Sequence, residues 1–235
     1  MKKKRSISQS QINLFKKCPY AYELKYSYHK HPIFFDPSLF EVGSRVHDAI
    51  DKYYKGHYTP EFTENEILME VYNILKYDWD TTLPADYLRK AYQCLQNFAI
   101  WEHKNQIQPL TEVKIYAGDL MGIIDYFDIY NKKIIDFKTN TRAFVGYNNK
   151  VQAVMYKMLV KEKFDIDIDK FLLYYLYPGE YREVKIKNVD KIENDIKDNV
   201  KKIQEAWRRH HFPKIPKTPK TCNGCEYNYY CGGVS

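Results

Sequence analysis

The apolar residues of this chain recur at two different spacings, and the change of spacing divides it. Over roughly the first hundred residues they come every three to four positions, the signature of helices with one buried face. Ser8 and Ser10 can cap a first helix carrying Leu14, Phe15, Cys18 and Tyr22 along one side, and Pro19 predicts a kink or a restart there. Val42, Val46, Ala49, Ile50 and Tyr53 mark a second helix that ends at Gly56. Two more amphipathic helices are predicted, over 64–78 with Ile67, Leu68, Val71, Ile74 and Leu75, and over 84–103 with Leu88, Tyr92, Leu95, Phe98 and Ala99.

From residue 112 the apolar positions alternate instead. The stretch EVKIYAGDLMGIIDYFDIYNKKIIDFKT reads as three short strands with turn signals at Ala117–Asp119 and Asn131–Lys132, a meander. A helix over about 147–162 follows, then FLLYYLYP as a continuously apolar, buried strand, then EVKIKNV. A charged helix over about 190–209 leads into a proline-rich tail. Helices, then β-β-β-α-β, then a helix predict a mixed α/β, or α+β, fold with a central sheet and helices on its faces. One domain is expected for the 235 residues: a helical part over 1–110, a core of sheet and helix over 111–190, and a C-terminal helix and tail over 191–235.

Composition narrows the class. A hydrophobic content of 44% and an aromatic content of 16%, led by 23 tyrosines, exclude a mostly disordered chain. Nothing approaches the roughly 18 consecutive apolar residues of a membrane span. The opening MKKKRSISQSQ has no apolar run behind its basic residues, so no secretory signal is expected and the expected location is the cytoplasm. The net charge of +7 suits an anionic partner such as nucleic acid, and equally a solvated lysine-rich surface.

Three charged residues interrupt the apolar strands. Strand side chains alternate faces, so Ile123, Asp125 and Phe127 share one face of their strand, and Ile134, Asp136 and Lys138 one face of the next. A carboxylate taken out of water needs an ion pair, hydrogen bonds or a bound cation. An acid two positions before a lysine says little by itself, since Glu23, Glu102, Glu112, Asp136, Glu183 and Asp195 all have one. Asp136 and Lys138 differ in closing an apolar strand paired with the strand of Asp125, so two carboxylates can converge on one divalent cation. Mg²⁺ or Mn²⁺ takes such oxygen ligands and binds phosphate oxygens, which points to phosphoryl chemistry with Lys138 beside the metal. The ordinary alternative is an Asp136–Lys138 ion pair at the sheet's end, with Asp125 capping a turn.

GIIDYFD followed by IIDFKTN resembles the active-site strands of the PD-(D/E)XK nucleases, in their RecB-like branch. GSRVHDAIDKYY resembles the upstream helix that presents a metal-binding histidine, here His47, and QAVMYKMLV resembles the helix beside the active site, here with Gln152 and Tyr156. Taken alone, these three are ordinary helix residues, like the other six histidines. The resemblance implies a restriction-endonuclease-like core whose metal is held by His47, Asp125 and Asp136, with the Phe137 carbonyl as a further ligand. It also implies that Lys138 acts on the attacking water and that Gln152 and Tyr156 position the DNA strand or the lysine, while Glu112, which opens the meander, is expected as an acid behind the ligands. The reaction implied is hydrolysis of DNA phosphodiesters, exonucleolytic on single strands or duplex ends, in recombination, repair, phage replication or CRISPR adaptation. A non-catalytic DNA-end or partner-binding module and a structure-specific endonuclease are the alternatives. A helicase or a CRISPR integrase is the kind of partner such nucleases have, in a prokaryotic or virus-infected cell.

Three of the five cysteines lie in CNGCEYNYYC, as Cys222, Cys225 and Cys231, spaced so that their thiolates can wrap one metal centre with Gly224 between the first two. Disulfides are not expected without an export signal. Cys18, in a Cys-Pro context, is the natural fourth ligand, whereas Cys94 reads as a small packed residue. This arrangement too resembles a subset of RecB-like nucleases, the CRISPR-adaptation exonucleases and the nuclease domains of AddB-type helicase subunits. In these, one N-terminal and three C-terminal cysteines hold a [4Fe-4S] cluster, which implies a structural staple. Structural zinc and free thiols are the alternatives.

Overall fold

The computed structural model describes residues 6–31, 37–80, 82–214, 222 and 225–231, without the side chains of 37–40. Residues 215–221, most of the proline-rich stretch, and 223–224, including Gly224, lie outside the described residues. In chain order the elements are α1 (Gln9–Lys17), α2 (Pro19–Tyr26), α3 (Pro37–Lys52), a single π turn (Tyr53–His57), α4 (Glu64–Tyr77), α5 (Ala85–Asn105), β1 (Leu110–Ala117), β2 (Leu120–Asp128), β3 (Lys133–Lys138), α6 (Tyr147–Phe164), β4 (Lys170–Tyr175), β5 (Glu180–Glu183), α7 (Val189–Arg209) and the short α8 (Asn228–Cys231). By their contacts the residues fall into two units that interleave along the chain, 1–36 with 116–121 and 187–235, and 37–115 with 122–186.

The second unit holds most of a five-stranded mixed sheet of order β1-β2-β3-β4-β5. β2 and β3 pair antiparallel, β3 and β4 parallel, and β4 and β5 antiparallel. The parallel pair requires a crossover, and α6 supplies it. The predicted β-β-β-α-β order is therefore present, with β5 added as an exposed edge strand. Its register is set by the four-residue turn after β4, which pairs Tyr175 with Glu180 and Leu172 with Glu183, so EVKIKNV contributes only Glu183.

Local sequence accounts for the helices around the sheet. Thr63 and Glu66 form a reciprocal capping box that starts α4, and Ile67, Val71 and Leu75 bury its inner face. On α5, Ala91, Cys94, Leu95, Phe98, Ala99 and Trp101 are buried. These join Val46, Ile50, Tyr53 and Tyr54 in one core with Tyr126, Ile135, Phe137 and Tyr174 from the sheet. Large rings dominate it: Phe137 meets Phe98, Trp101, Tyr126 and Tyr174 at centroid distances of 6.0 to 6.3 Å.

In the first unit, Pro19 ends one helix and starts the next. Proline pushes the preceding residue out of the helical region, and Cys18 is extended (φ −164°, ψ 114°), the C-cap of α1 and the N-cap of α2 at once. Tyr22 is fully buried, its ring against Phe15, Tyr26, Trp207 and Phe212. No described helix is long and apolar enough to cross a membrane.

Candidate active site

The antiparallel register of β2 on β3 runs from Asp128–Lys133 to Tyr126–Ile135 and stops there, one residue short of Asp125 and Asp136. Beyond that point a side chain replaces the backbone ladder: Oδ2 of Asp125 accepts the N–H of Phe137 at 2.8 Å. Alternation then separates the residues of β3. Phe137 enters the aromatic core, whereas Asp136, 3% exposed, meets α6. Its Oδ2 is 2.6 Å from Nζ of Lys138, and its Oδ1 accepts from Nε2 of Gln152 at 2.7 Å. Gln152 also donates to the Tyr156 hydroxyl at 3.3 Å, and that hydroxyl donates to the carbonyl of Ile123. Helical spacing puts Gln152 and Tyr156 one turn apart, so a single face of α6 holds both strands.

Two glycines allow these approaches. A Cβ on Gly122 would lie 2.8 Å from both Leu159 Cδ1 and Tyr156 Cε1 on α6. A Cβ on Gly43, one turn before His47 on α3, would lie 3.3 Å from Thr139 Oγ1 just beyond β3. With that clearance α3 carries His47 to the open end of the strands.

There Nδ1 of His47 is 3.5 Å from Oδ2 of Asp125 and 3.8 Å from Oε1 of Glu112. One ligand atom from each of the three lies within 4.8 Å of the others. Glu112 reaches this point from β1 with a left-handed backbone, φ 45°, that a non-glycine residue rarely adopts inside a strand. Among the described residues neither Glu112 nor Asp125 is paired with a lysine or arginine, so two carboxylates face one imidazole. Two hard oxygen donors with one nitrogen donor fit a divalent cation of the Mg²⁺ or Mn²⁺ type.

The electrostatics agree. Burial disfavours the His47 imidazolium, yet Asp125, Glu112 and Asp136 together raise its pKa to about 10, so the cluster draws positive charge strongly. Burial holds Asp136 above the usual carboxylate range, with Lys138 pulling it back and Asp125 pushing it up. Burial also works against the Lys138 ammonium, but Asp136 outweighs it and the ammonium is kept. Burial, then Asp136 and Asp125, raise the phenol of Tyr156, which stays a proton donor. A cavity of about 930 Å³ opens on this cluster, lined by His47, Glu112, Asp125, Ile123 and Thr139 among others.

The structure thus gathers His47, Asp125, Asp136, Lys138, Gln152 and Tyr156 in one place, but not in one shell. Asp136 lies beside the three-donor group, engaged by Lys138 and Gln152. Glu112, expected behind the ligands, has a carboxylate oxygen within 4.8 Å of the ligand atoms of His47 and Asp125. Its alternation within EVKIYA does not reveal this, because the left-handed backbone that aims it has no signature in that stretch.

In the first unit, Cys18 and Cys225 pack beside Ala21, Leu24 and Tyr227. Cys225 N–H donates to the Cys222 carbonyl at 3.0 Å and Cys231 N–H to the Tyr227 carbonyl at 3.2 Å, which curls the tail. The Cys231 thiol is raised by burial first, opposed by Lys214, and raised further by Cys18, Cys225 and Cys222. Cys18, Cys225 and Cys222 therefore all bear on the charge of Cys231, and none of the four is in a disulfide. Such a four-thiolate set fits an iron–sulfur cluster or zinc. Cys94 is fully buried in α5, in the core of the second unit, and burial raises its thiol to about 12.

The family model described as the PD-(D/E)XK nuclease superfamily matches residues 6–232. No curated protein matches the chain.

Proposed function

The chain belongs to the PD-(D/E)XK nuclease superfamily, and on that premise we propose that it is a divalent-metal-dependent DNA exonuclease of the RecB-like branch, acting on single strands or duplex ends. The observation that carries this reading is the meeting of His47, Glu112 and Asp125 at one cavity, with the Asp136–Lys138 pair on the neighbouring strand.

In this reading His47, Glu112 and Asp125 hold Mg²⁺ or Mn²⁺, with Asp136 and the Phe137 carbonyl completing the set. The metal when bound supplies a more acidic water and offsets charge developing on the phosphate. The remaining steps belong to the protein. The Lys138 ammonium, held 2.6 Å from Asp136, orients the attacking water and neutralises a phosphate oxygen. Gln152 keeps Asp136 aimed and Tyr156 locks the strand of Asp125 through Ile123. Water oxygen bonds to phosphorus as one ester P–O bond breaks, and the proton lost by the water balances the one gained by the leaving oxygen. Cys18, Cys222, Cys225 and Cys231 hold a [4Fe-4S] cluster that ties α1 and α2 to the tail, a structural role.

The test is cleavage of end-labelled linear and circular single-stranded DNA with Mn²⁺, Mg²⁺ or EDTA, by anaerobically purified wild type and Asp136→Ala. Loss of the linear substrate alone, abolished by EDTA and by the substitution, is expected. Cleavage of the circle would make the protein an endonuclease. Binding without cleavage would make it a DNA-end-binding module, or a nuclease that needs a helicase or integrase partner. Brown colour with absorbance near that of iron–sulfur proteins, lost in Cys231→Ser, separates the cluster from zinc.

A further inference from the structure

The cavity beside the three donors has a second charged wall. Besides the metal-binding side it is lined by Lys55, Lys90 and Lys114. Lys55 is taken up by Asp51 at 2.7 Å, and Asp51 also accepts from Thr111 at 2.5 Å. The cavity's other acid, Asp48, is bound by Lys52 at 2.9 Å. Lys90, half-buried on α5, and Lys114, exposed on β1, have no carboxylate within ion-pair distance among the described residues. This contrasts with Lys52, Lys55 and Lys138, each of which is ion-paired.

Two unneutralised ammonium groups on a wall facing a cation site suit a ligand with several anionic groups in a row. One anion goes to the cation and its neighbours to the lysines. A half-buried lysine without an acid gives up hydration for no internal partner, which is understandable if an anion arrives to pair with it. Lys90 and Lys114 come from different elements, α5 and β1, so together they span the wall. Lys114 stands two residues after Glu112 on its strand, which ties its position to that of the donor.

We infer that Lys90 and Lys114 form a phosphate subsite that holds the phosphodiesters flanking the scissile one, so that this cavity is the path of a single nucleic-acid strand. The inference rests on the nuclease reading and adds to it the residues that hold the strand. Both lysines are positioning residues and neither touches the reacting phosphorus.

The test compares wild type, Lys90→Gln/Lys114→Gln and Lys90→Arg/Lys114→Arg, all as the full chain. Binding of a fluorescent single-stranded oligonucleotide is measured by anisotropy with Ca²⁺ at several salt concentrations. Each strand phosphate contact contributes about 0.7 to the slope of log affinity on log salt, so the Gln pair should lower that slope by about 1.4. The Arg pair should restore it. Cleavage of the oligonucleotide should show KM raised roughly tenfold at unchanged kcat in the Gln pair, since uniform binding is what is lost. Thymidine 5′-(p-nitrophenyl) phosphate, which has no flanking phosphate, should be hydrolysed equally by all three. An unchanged salt slope in the Gln pair would overturn the inference, as would an equal loss on both substrates. A wild type that cleaves nothing would leave a DNA-end-binding module or a nuclease that needs its partner, while the salt slope, read without turnover, would still decide the subsite.

Discussion

Nε2 of Gln152 donates to Oδ1 of Asp136 across 2.7 Å, so a neutral helix residue sets the direction of a buried carboxylate on β3. The other oxygen of that carboxylate belongs to Lys138. Gln152→Ala leaves one lone pair of Asp136 without a partner. Outer partners of this kind change metal affinity or activity by about 10- to 100-fold. The variant should therefore fold, with activity reduced by that factor and half-saturation by Mn²⁺ moved upward. Gln152→Glu should be worse, because it sets a second carboxylate against Asp136. Steady-state cleavage at a series of Mn²⁺ concentrations checks both; equal activity at all concentrations would reduce Gln152 to packing.

Gly122 shows how narrow the approach of α6 to β2 is. In Gly122→Ala the new methyl meets Leu159 and Tyr156 at 2.8 Å, and overpacking of this kind costs about 1–3 kcal/mol. A lower melting temperature and weaker cleavage are expected together, since Tyr156 and Gln152 move as one face. Adding Leu159→Val should recover part of the stability.

The helices were legible because their causes are local: the restart at Pro19 and the three-to-four spacing through α5. The two close-approach glycines were present as letters of motifs, and only the distances to Leu159, Tyr156 and Thr139 supply their reason. Glu112 was not legible as a member of the donor group, because a strand pattern assumes extended backbone and its φ is 45°. β5 escaped for a related reason, its pairing being fixed by the turn at 176–179 and not by alternation. The buried Glu102 gave no sign at all, since charge on a helix is ordinarily solvated.

Glu112 carries strain that substitution can separate from chemistry. Glycine adopts a left-handed backbone without the penalty other residues meet. Glu112→Gly should therefore be more stable than Glu112→Ala by about 1 kcal/mol, while both lose metal-dependent cleavage. Urea unfolding of the two variants side by side reads the difference; equal stabilities would mean that the backbone relaxes.

Glu102 is 1% exposed, accepts a hydrogen bond from Tyr54, and has its Oε1 without a partner among the described residues. Burial raises its pKa to about 7, with the Tyr54 bond opposing. Between pH 4.5 and 7 the folded protein therefore holds a proton that the unfolded chain has lost. Stability from this group is full below about pH 4.5 and is lost as pH rises through 7, about 3 kcal/mol in all. Glu102→Gln should flatten that part of the profile. Urea midpoints at pH 4.5 and 7.5 for both proteins give the answer as a difference, which cancels the other titrating groups.

Metal addition separates the three donors from Asp136. A cation that binds only the folded protein stabilises it by about 2.7 kcal/mol at a hundredfold excess over Kd, so Mn²⁺ should raise the melting temperature and EDTA should reverse the rise. Asp125→Asn and Glu112→Gln should abolish the shift, since each removes a carboxylate from the group that converges within 4.8 Å. Asp136→Asn should stop cleavage yet keep part of the shift, because its carboxylate is already engaged by Lys138 at 2.6 Å and Gln152 at 2.7 Å. Complete loss of the shift in Asp136→Asn would instead make Asp136 an equal ligand, drawn away from Lys138 when the cation binds.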